Sequence, residues 1–277
     1  MLAFSSLLGN VEGQNIYRIW YDKPASYWEE ALPVGNGRIA AMVFGDPQLE
    51  QIQLNEETVS AGSPYQNYNE EAKTALPEMR RLIFEGKYEE AQNMAATKIL
   101  SQVGNEMPYQ TVGRLNIRYQ DHKKVNNYYR DLDISNAVAV TRYEVDGVEF
   151  TEETFASFTD QLVIRHIKAS KPGTINCELF FNTPMRDPKR SIYGKKGLRL
   201  EGITHGSRYF PGKVHYCADL DVKNKGGEVT MANDTLLSVQ GASELTLYIS
   251  MATNFVNYKD ISGDPYQRNK TYLKNAE

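Results

Sequence analysis

Residues 214–222 read VHYCADLDV. Val214, Tyr216, Ala218, Leu220 and Val222 alternate with His215, Cys217, Asp219 and Asp221, which is the two-residue period of a strand with one buried face. Leu245, Leu247, Ile249 and Met251 repeat the pattern. Between these runs, Gly226-Gly227 and Asn233-Asp234 punctuate short strands. Upstream, Asp146-Gly147 separates Tyr143-Glu144-Val145 from Val148-Glu149-Phe150, a two-residue hairpin signal. The apolar phase then slips between Phe150 and Phe155, which predicts a β-bulge. Most of the chain therefore reads as antiparallel β, without a sequence repeat of fixed period.

Two segments break the pattern. Residues 69–100 favour helix: Pro77 suits a first helical turn, and Met79, Leu82 and Ile83 share one face. Gly86 is a stop, and Tyr88, Ala91, Ala95 and Ile99 form a second stripe. At the other end, Asp264-Pro265 marks a helix start, and the helix-permissive run that follows reaches Glu277 without a glycine stop. The expected domains are residues 16–262 as one β domain, 263–277 as the beginning of a connecting helix, and 1–15 as a separate N-terminus. Met1–Gly9 is apolar and precedes a small-polar stretch, so it reads either as the tail of a secretory signal peptide or as an ordinary disordered or strand-forming end.

The chain has 277 residues, a net charge of -4 and 41% hydrophobic residues, enough for a substantial core and without the basic face of a nucleic-acid binder. No apolar run is long enough to span a membrane. The 18 tyrosines suit both strands and sugar sites. Cys177 falls in an apolar phase and Cys217 in a polar one, so free thiols are expected. Two lone cysteines and four dispersed histidines show no metal-ligand spacing, and no cofactor is expected.

Glycoside hydrolysis needs two carboxyl roles, or an acid with another group that positions water. Of the adjacent pairs, Glu152-Glu153 would face opposite ways on a regular strand, and Glu70-Glu71 and Glu89-Glu90 read as solvated helix charges. Glu56-Glu57 are better placed in a loop, although Asn55 and Thr58 are also turn-capping residues. Gly35-Asn36-Gly37-Arg38 reads first as a hairpin leading into a strand, with Arg38 free to bind a carboxylate or a sugar hydroxyl. Trp20, Trp28, Tyr65 and Tyr68 have faces on which sugar rings stack, and equally fill cores. His166 reads as a strand histidine, and no nucleophile–histidine arrangement emerges from spacing.

At these residues the chain resembles the N-terminal region of the bacterial α-L-fucosidases typified by 1,2-α-L-fucosidase. The carriers begin with Trp20-Tyr21, Pro24-Ala25, Trp28 to Arg38 (WEEALPVGNGR) and Gln53 to Thr58 (QLNEET). They continue with Leu82 to Tyr88 (LIFEGKY), Tyr109-Gln110, Tyr128 to Asp133 (YYRDLD), Phe155 to Phe158 (FASF) and Ala252 to Tyr258 (ATNFVNY). The resemblance implies a large β-sandwich (supersandwich), then a helical linker to a helical barrel that carries the inverting machinery. It implies that this chain is the non-catalytic sandwich of an exported, secreted or periplasmic enzyme acting on fucosylated or related L-galactosyl glycans. The barrel of the same polypeptide is the implied partner.

No catalytic residue is carried onto this chain. Trp20, Trp28, Asn36, Arg38, Asn55, Glu56 and Thr58 are the expected contacts to substrate or barrel. Two residues depart from the family pattern: Ser60 stands where a tryptophan is usual, and Arg114 where an acidic residue is common. The rival expectation is a free-standing carbohydrate-binding, structural or dimerising sandwich.

Overall fold

A computed structural model describes residues 17–101, 107–206 and 210–274. The expected N-terminal segment 1–15 lies outside the described residues. The strands of the first half are β1 (Arg18–Tyr21), β2 (Leu32–Gly35), β3 (Ile39–Val43), β4 (Leu49–Glu56), β5 (Gly113–Tyr119), β6 (Asn126–Asp133), β7 (Val138–Val145) and β8 (Val148–Ala156). Those of the second half are β9 (Val163–Ala169), β10 (Ile175–Asn182), β11 (Arg186–Tyr193), β12 (Gly197–Ile203), β13 (His215–Lys225), β14 (Glu228–Asn233), β15 (Leu236–Ala242) and β16 (Glu244–Thr253).

They form two antiparallel sheets. One has nine strands in the order β1-β6-β7-β8-β9-β16-β13-β12-β11, the other seven in the order β14-β15-β10-β5-β4-β3-β2. The inward side chains of both sheets make one core: Ile52, Leu54, Leu115, Ile117 and Leu179 from the smaller sheet, and Ile167, Leu220, Leu247 and Ile249 from the larger. The fold is an all-β sandwich, as the alternation predicts.

The Asp146-Gly147 hairpin forms, with both residues at positive φ (49° and 71°) as a mirror-image turn requires. The predicted bulge does not. β8 pairs in unbroken register with β7 from Val148 to Thr154 and with β9 from Phe150 to Ala156. Its apparent phase slip comes from Glu152 and Thr154, which take inward positions and are buried. Glu153 faces the other way and is exposed, as the strand argument requires.

Arg165, on the adjacent strand β9, is what makes inward carboxylates tolerable. It is fully buried and donates to Thr154 Oγ1 (2.8 Å), to Glu50 Oε2 (2.8 Å) and to Glu152. Tyr119 and Tyr143 hydroxyls donate to Glu152 Oε1 at 2.6 and 2.7 Å. Glu50 also accepts the backbone N–H groups of Phe44 and Gly45. Buried charge is stable only when paired and hydrogen-bonded in this way.

The helical excursion between β4 and β5 forms α1 (Ala72–Phe84) and α2 (Tyr88–Met94), continued by a short π-helical turn, Ala95–Ile99. Gly86, at φ 74°, ends the first helix as expected. Pro77 does not start a helix. It lies on the exposed side of one continuous α1, which already begins at Ala72. The buried side of α1 is Ala75 and Leu82, while Ile83, Phe84 and Tyr88 are exposed, so the two expected stripes are only partly inward.

The third helix, α3 (Pro265–Lys274), starts where Asp264-Pro265 predicts. Asp264 Oδ1 accepts the N–H groups of Tyr266 and Gln267, the bonding of an N-cap. α3 lies on β13 and β16. Asn269, fully buried, donates to Cys217 O (3.0 Å) and accepts from Ser250 Oγ (2.7 Å). This explains why Cys217 and Asp219 are buried although they sit in the polar phase of VHYCADLDV: the helix covers the face that alternation assigns to solvent. Cys177 and Cys217 are both buried free thiols.

Candidate functional site

The stretch with the densest polar and aromatic content, Trp20–Pro64, does not form one site. Its parts go to the sheet edge, the sandwich interior and two separate surface hollows.

Asn36 and Arg38 build the β2–β3 turn. Asn36 Oδ1 accepts the N–H groups of Arg38 (3.0 Å) and Ile39 (2.9 Å), and its Nδ2 donates to Ser157 O (2.9 Å). Gly37 supplies the positive φ (95°) of the turn. The Arg38 guanidinium is spent internally: it donates to Gln161 Oε1 (2.6 Å), Met251 O (2.8 Å) and Glu56 Oε1 (3.3 Å), and lies 4.7 Å from the ring centroid of Tyr272 on α3. It thereby ties the two sheets and the last helix together.

Glu56 is not in a loop: it is the last residue of β4 and is buried. Burial raises its carboxyl above the usual range, opposed by Thr58 and Arg38. Thr58 N and Oγ1 both donate to Glu56 Oε2, at 2.8 and 2.6 Å. Asn55 is likewise not a turn residue, since it pairs with Ala40 inside the sheet. Trp20, mostly exposed, stacks on Tyr129 at 6.2 Å on the edge of the nine-stranded sheet. Trp28 lies elsewhere, beside Phe44 and Arg114.

A hollow of about 670 Å³ opens at the end of the sandwich where β4 finishes. Thr58, Ser60, Tyr65 and Met107 come to it from the β4–β5 excursion, and Phe255 and Tyr258 from the segment after β16. Ser60 pairs with Tyr109, and Tyr65 stacks on Phe210 at 4.1 Å. Arg268 of α3 fixes the far wall by donating to Thr253 O (2.8 Å) and Phe255 O (2.7 Å). Tyr258, Tyr109 and Val256 are exposed around it. Among the described residues, Glu57 is the one acidic side chain in its lining. No local pattern marks Phe255 and Tyr258 as members of this hollow, because they approach from the opposite sheet.

The histidines stay structural. His122 Nδ1 is 3.0 Å from Pro47 O, and its ring stacks on Tyr119 at 4.3 Å. His166 Nδ1 is 3.0 Å from Thr246 Oγ1 on the neighbouring strand. Among the described residues no three His, Cys, Asp or Glu side chains converge as metal ligands. No described helix is long and apolar enough to cross a membrane.

Two facing antiparallel sheets with a helical excursion at one end and a capping helix make up this all-β domain. Residues 19–258 match the family described as "Glycosyl hydrolase family 65, N-terminal domain", and the chain belongs to that family. It is 31% identical over 271 residues to "Alpha-L-fucosidase 2" of Arabidopsis thaliana, covering 88% of this chain and 31% of that protein. It is 22% identical over 273 residues to "Probable alpha-fucosidase A" of Aspergillus oryzae, covering 94% of this chain and 36% of that protein. The chain thus spans about a third of the length of these relatives. A solved structure, a kojibiose phosphorylase-type protein from the human microbiome, is 10% identical with a TM-score of 0.44, over 94% of this chain and 35% of that one.

Proposed function

We propose that this chain is the non-catalytic sandwich domain of an inverting α-L-fucosidase of the bacterial 1,2-α-L-fucosidase type. Its role is to seat the helical catalytic barrel of the same polypeptide, with α3 as the start of the linker. The 670 Å³ hollow carries the reading: among the described residues, its lining offers aromatic, small and hydroxyl groups but a single carboxylate, Glu57. Hydrolysis of a glycosidic bond needs a second group to take the complementary role. An open apolar hollow ringed by exposed Tyr109, Val256 and Tyr258 suits a protein surface better than a reacting sugar. The buried carboxylates Glu50, Glu56 and Glu152 are already engaged, Glu56 by Thr58 and Arg38, and Glu50 and Glu152 by Arg165. Of the expected contact residues, Thr58 faces the partner side, while Asn36, Arg38 and Glu56 hold the rim in place from within.

The names of the relatives support fucosyl glycans as the substrate of the whole enzyme. The purified 277-residue chain is expected to release no fucose from 2'-fucosyllactose, whereas the full-length polypeptide releases it. Fucose release in proportion to the amount of isolated chain would overturn the assignment. The reading also places the enzyme in the periplasm or outside the cell, and recovery of the native protein in the cytosolic fraction alone would refute that part.

A further inference from the structure

A different surface carries a second assignment. On the outer face of the seven-stranded sheet, Gln53, Arg114 and Asn182 stand side by side in register across β4, β5 and β10. Two hollows of about 310 Å³ each meet at Arg114. One is lined by Gln53, Thr111, Asn182 and Thr183, the other by Trp28, Ser26, Asp46 and Gln51. Together they form a trough that runs across the strands from an indole at one end to amides and hydroxyls at the other.

Arg114 is its distinctive element. Its Nη1 donates to Gln51 Oε1 at 2.7 Å, and its guanidinium lies 5.6 Å from the Phe44 ring centroid. Among the described residues it has no carboxylate partner, in contrast to Arg38, Arg165 and Arg199. A guanidinium presents five donors in a planar fork, so most of its donors remain for an incoming oxygen-rich group. Asp46 uses Oδ1 on the N–H groups of Gln48 and Leu49, which leaves Oδ2 as an acceptor beside Trp28. Trp28 is about half exposed (48%) and offers a flat apolar face.

Flat aromatic surface, planar amides, hydroxyls and a guanidinium with donors to spare are the groups that recognise a pyranose ring and its oxygens. We propose that this trough binds a short oligosaccharide. A ring face would lie on Trp28, and hydroxyl or carboxylate oxygens would be held by Arg114, Gln53 and Asn182. The site would let the sandwich hold part of a glycan away from the hollow at the sandwich end. The assignment rests on the reading of the chain as part of a glycan-degrading enzyme, but it concerns binding, not hydrolysis.

The test is titration of the chain, followed by amide NMR shifts and calorimetry, with 2'-fucosyllactose as the neutral probe and a trigalacturonate as the acidic one. Saturable binding of either is expected, with shifts at Gln53, Arg114 and Asn182. Trp28→Ala and Arg114→Gln should each weaken binding by about tenfold or more, as loss of a charged hydrogen bond or a stacking face predicts. Trp20→Ala, on the other sheet's edge, should leave it unchanged. Circular dichroism checks that each variant is folded, and Gln53→Ala with Asn182→Ala provides a second route should either fail that check. Salt-sensitive binding of the trigalacturonate alone would identify a carboxylate as the group on Arg114, and binding of the neutral probe would identify hydroxyls. Absence of saturable binding to both probes, or binding untouched by the folded trough variants, would overturn the assignment. Either result leaves the non-catalytic reading standing, because that reading falls only if the isolated chain releases fucose.

Discussion

Arg165→Met is the sharpest probe of how this sandwich tolerates charge in its core. Arg165 is fully buried and bridges Glu50 and Glu152 from opposite sheets. Burial pushes the Glu50 carboxyl from 4.5 up to about 7, with Arg165 pulling the other way. In the native protein the linkage therefore has a definite sign. The folded value lies above the unfolded one, so the contribution of Glu50 to stability is whole below about pH 4.5 and is lost as the pH climbs to about 7.

Without Arg165, two buried carboxylates face each other with no cation, and both must hold protons to stay inside. Relative to the native protein, the variant retains about one more proton in the folded state. Each pH unit between about 5 and 7 should then cost it a further ~1.4 kcal/mol. Removing one side of a buried ion pair costs about 3–5 kcal/mol at neutral pH, so the loss should shrink to about 0–2 kcal/mol near pH 5. Urea denaturation followed by far-ultraviolet circular dichroism at several pH values measures both quantities. A loss under about 1 kcal/mol at neutral pH, or one that does not grow with pH, would refute the account of the network.

Two further outcomes follow from the turns. Asn36→Ala removes the acceptor for the N–H groups of Arg38 and Ile39 and should lower stability by about 1–2 kcal/mol, read as a fall in melting temperature. Gly113→Ala should cost more than Asn36→Ala, because φ there is 141° and an added Cβ would lie 2.5 Å from Asn182 O; an unchanged urea midpoint would contradict this.

Much of the sandwich was legible because alternation is a local consequence of strand geometry. Val214–Val222 and Leu245–Met251 announce their inward faces without any knowledge of their neighbours. The hairpin at Asp146-Gly147, the stop at Gly86 and the cap at Asp264 were legible for the same reason, since each depends on the backbone needs of adjacent residues. The illegible parts are those where a distant element changes the value of a position. Glu152 and Thr154 look like a phase slip until Arg165 on the next strand, and Glu50 on the opposite sheet, make an inward carboxylate stable. Cys217 and Asp219 look solvent-facing until α3 covers them.

The sites divide in the same way. By itself, the sequence determined an antiparallel β domain with a helical excursion, free of any local catalytic or metal-ligating spacing, and named Trp28, Thr58, Ser60 and Arg114 as residues to watch. Only the tertiary structure decided that Thr58 and Ser60 share a hollow with Phe255 and Tyr258, and that Trp28 and Arg114 lie along one trough. It also decided that Arg38 and Glu56 turn inward to each other. The physical reason is that a period of two assigns a side chain to a face, whereas the order in which strands pair, which no local pattern encodes, decides what stands beside it on that face.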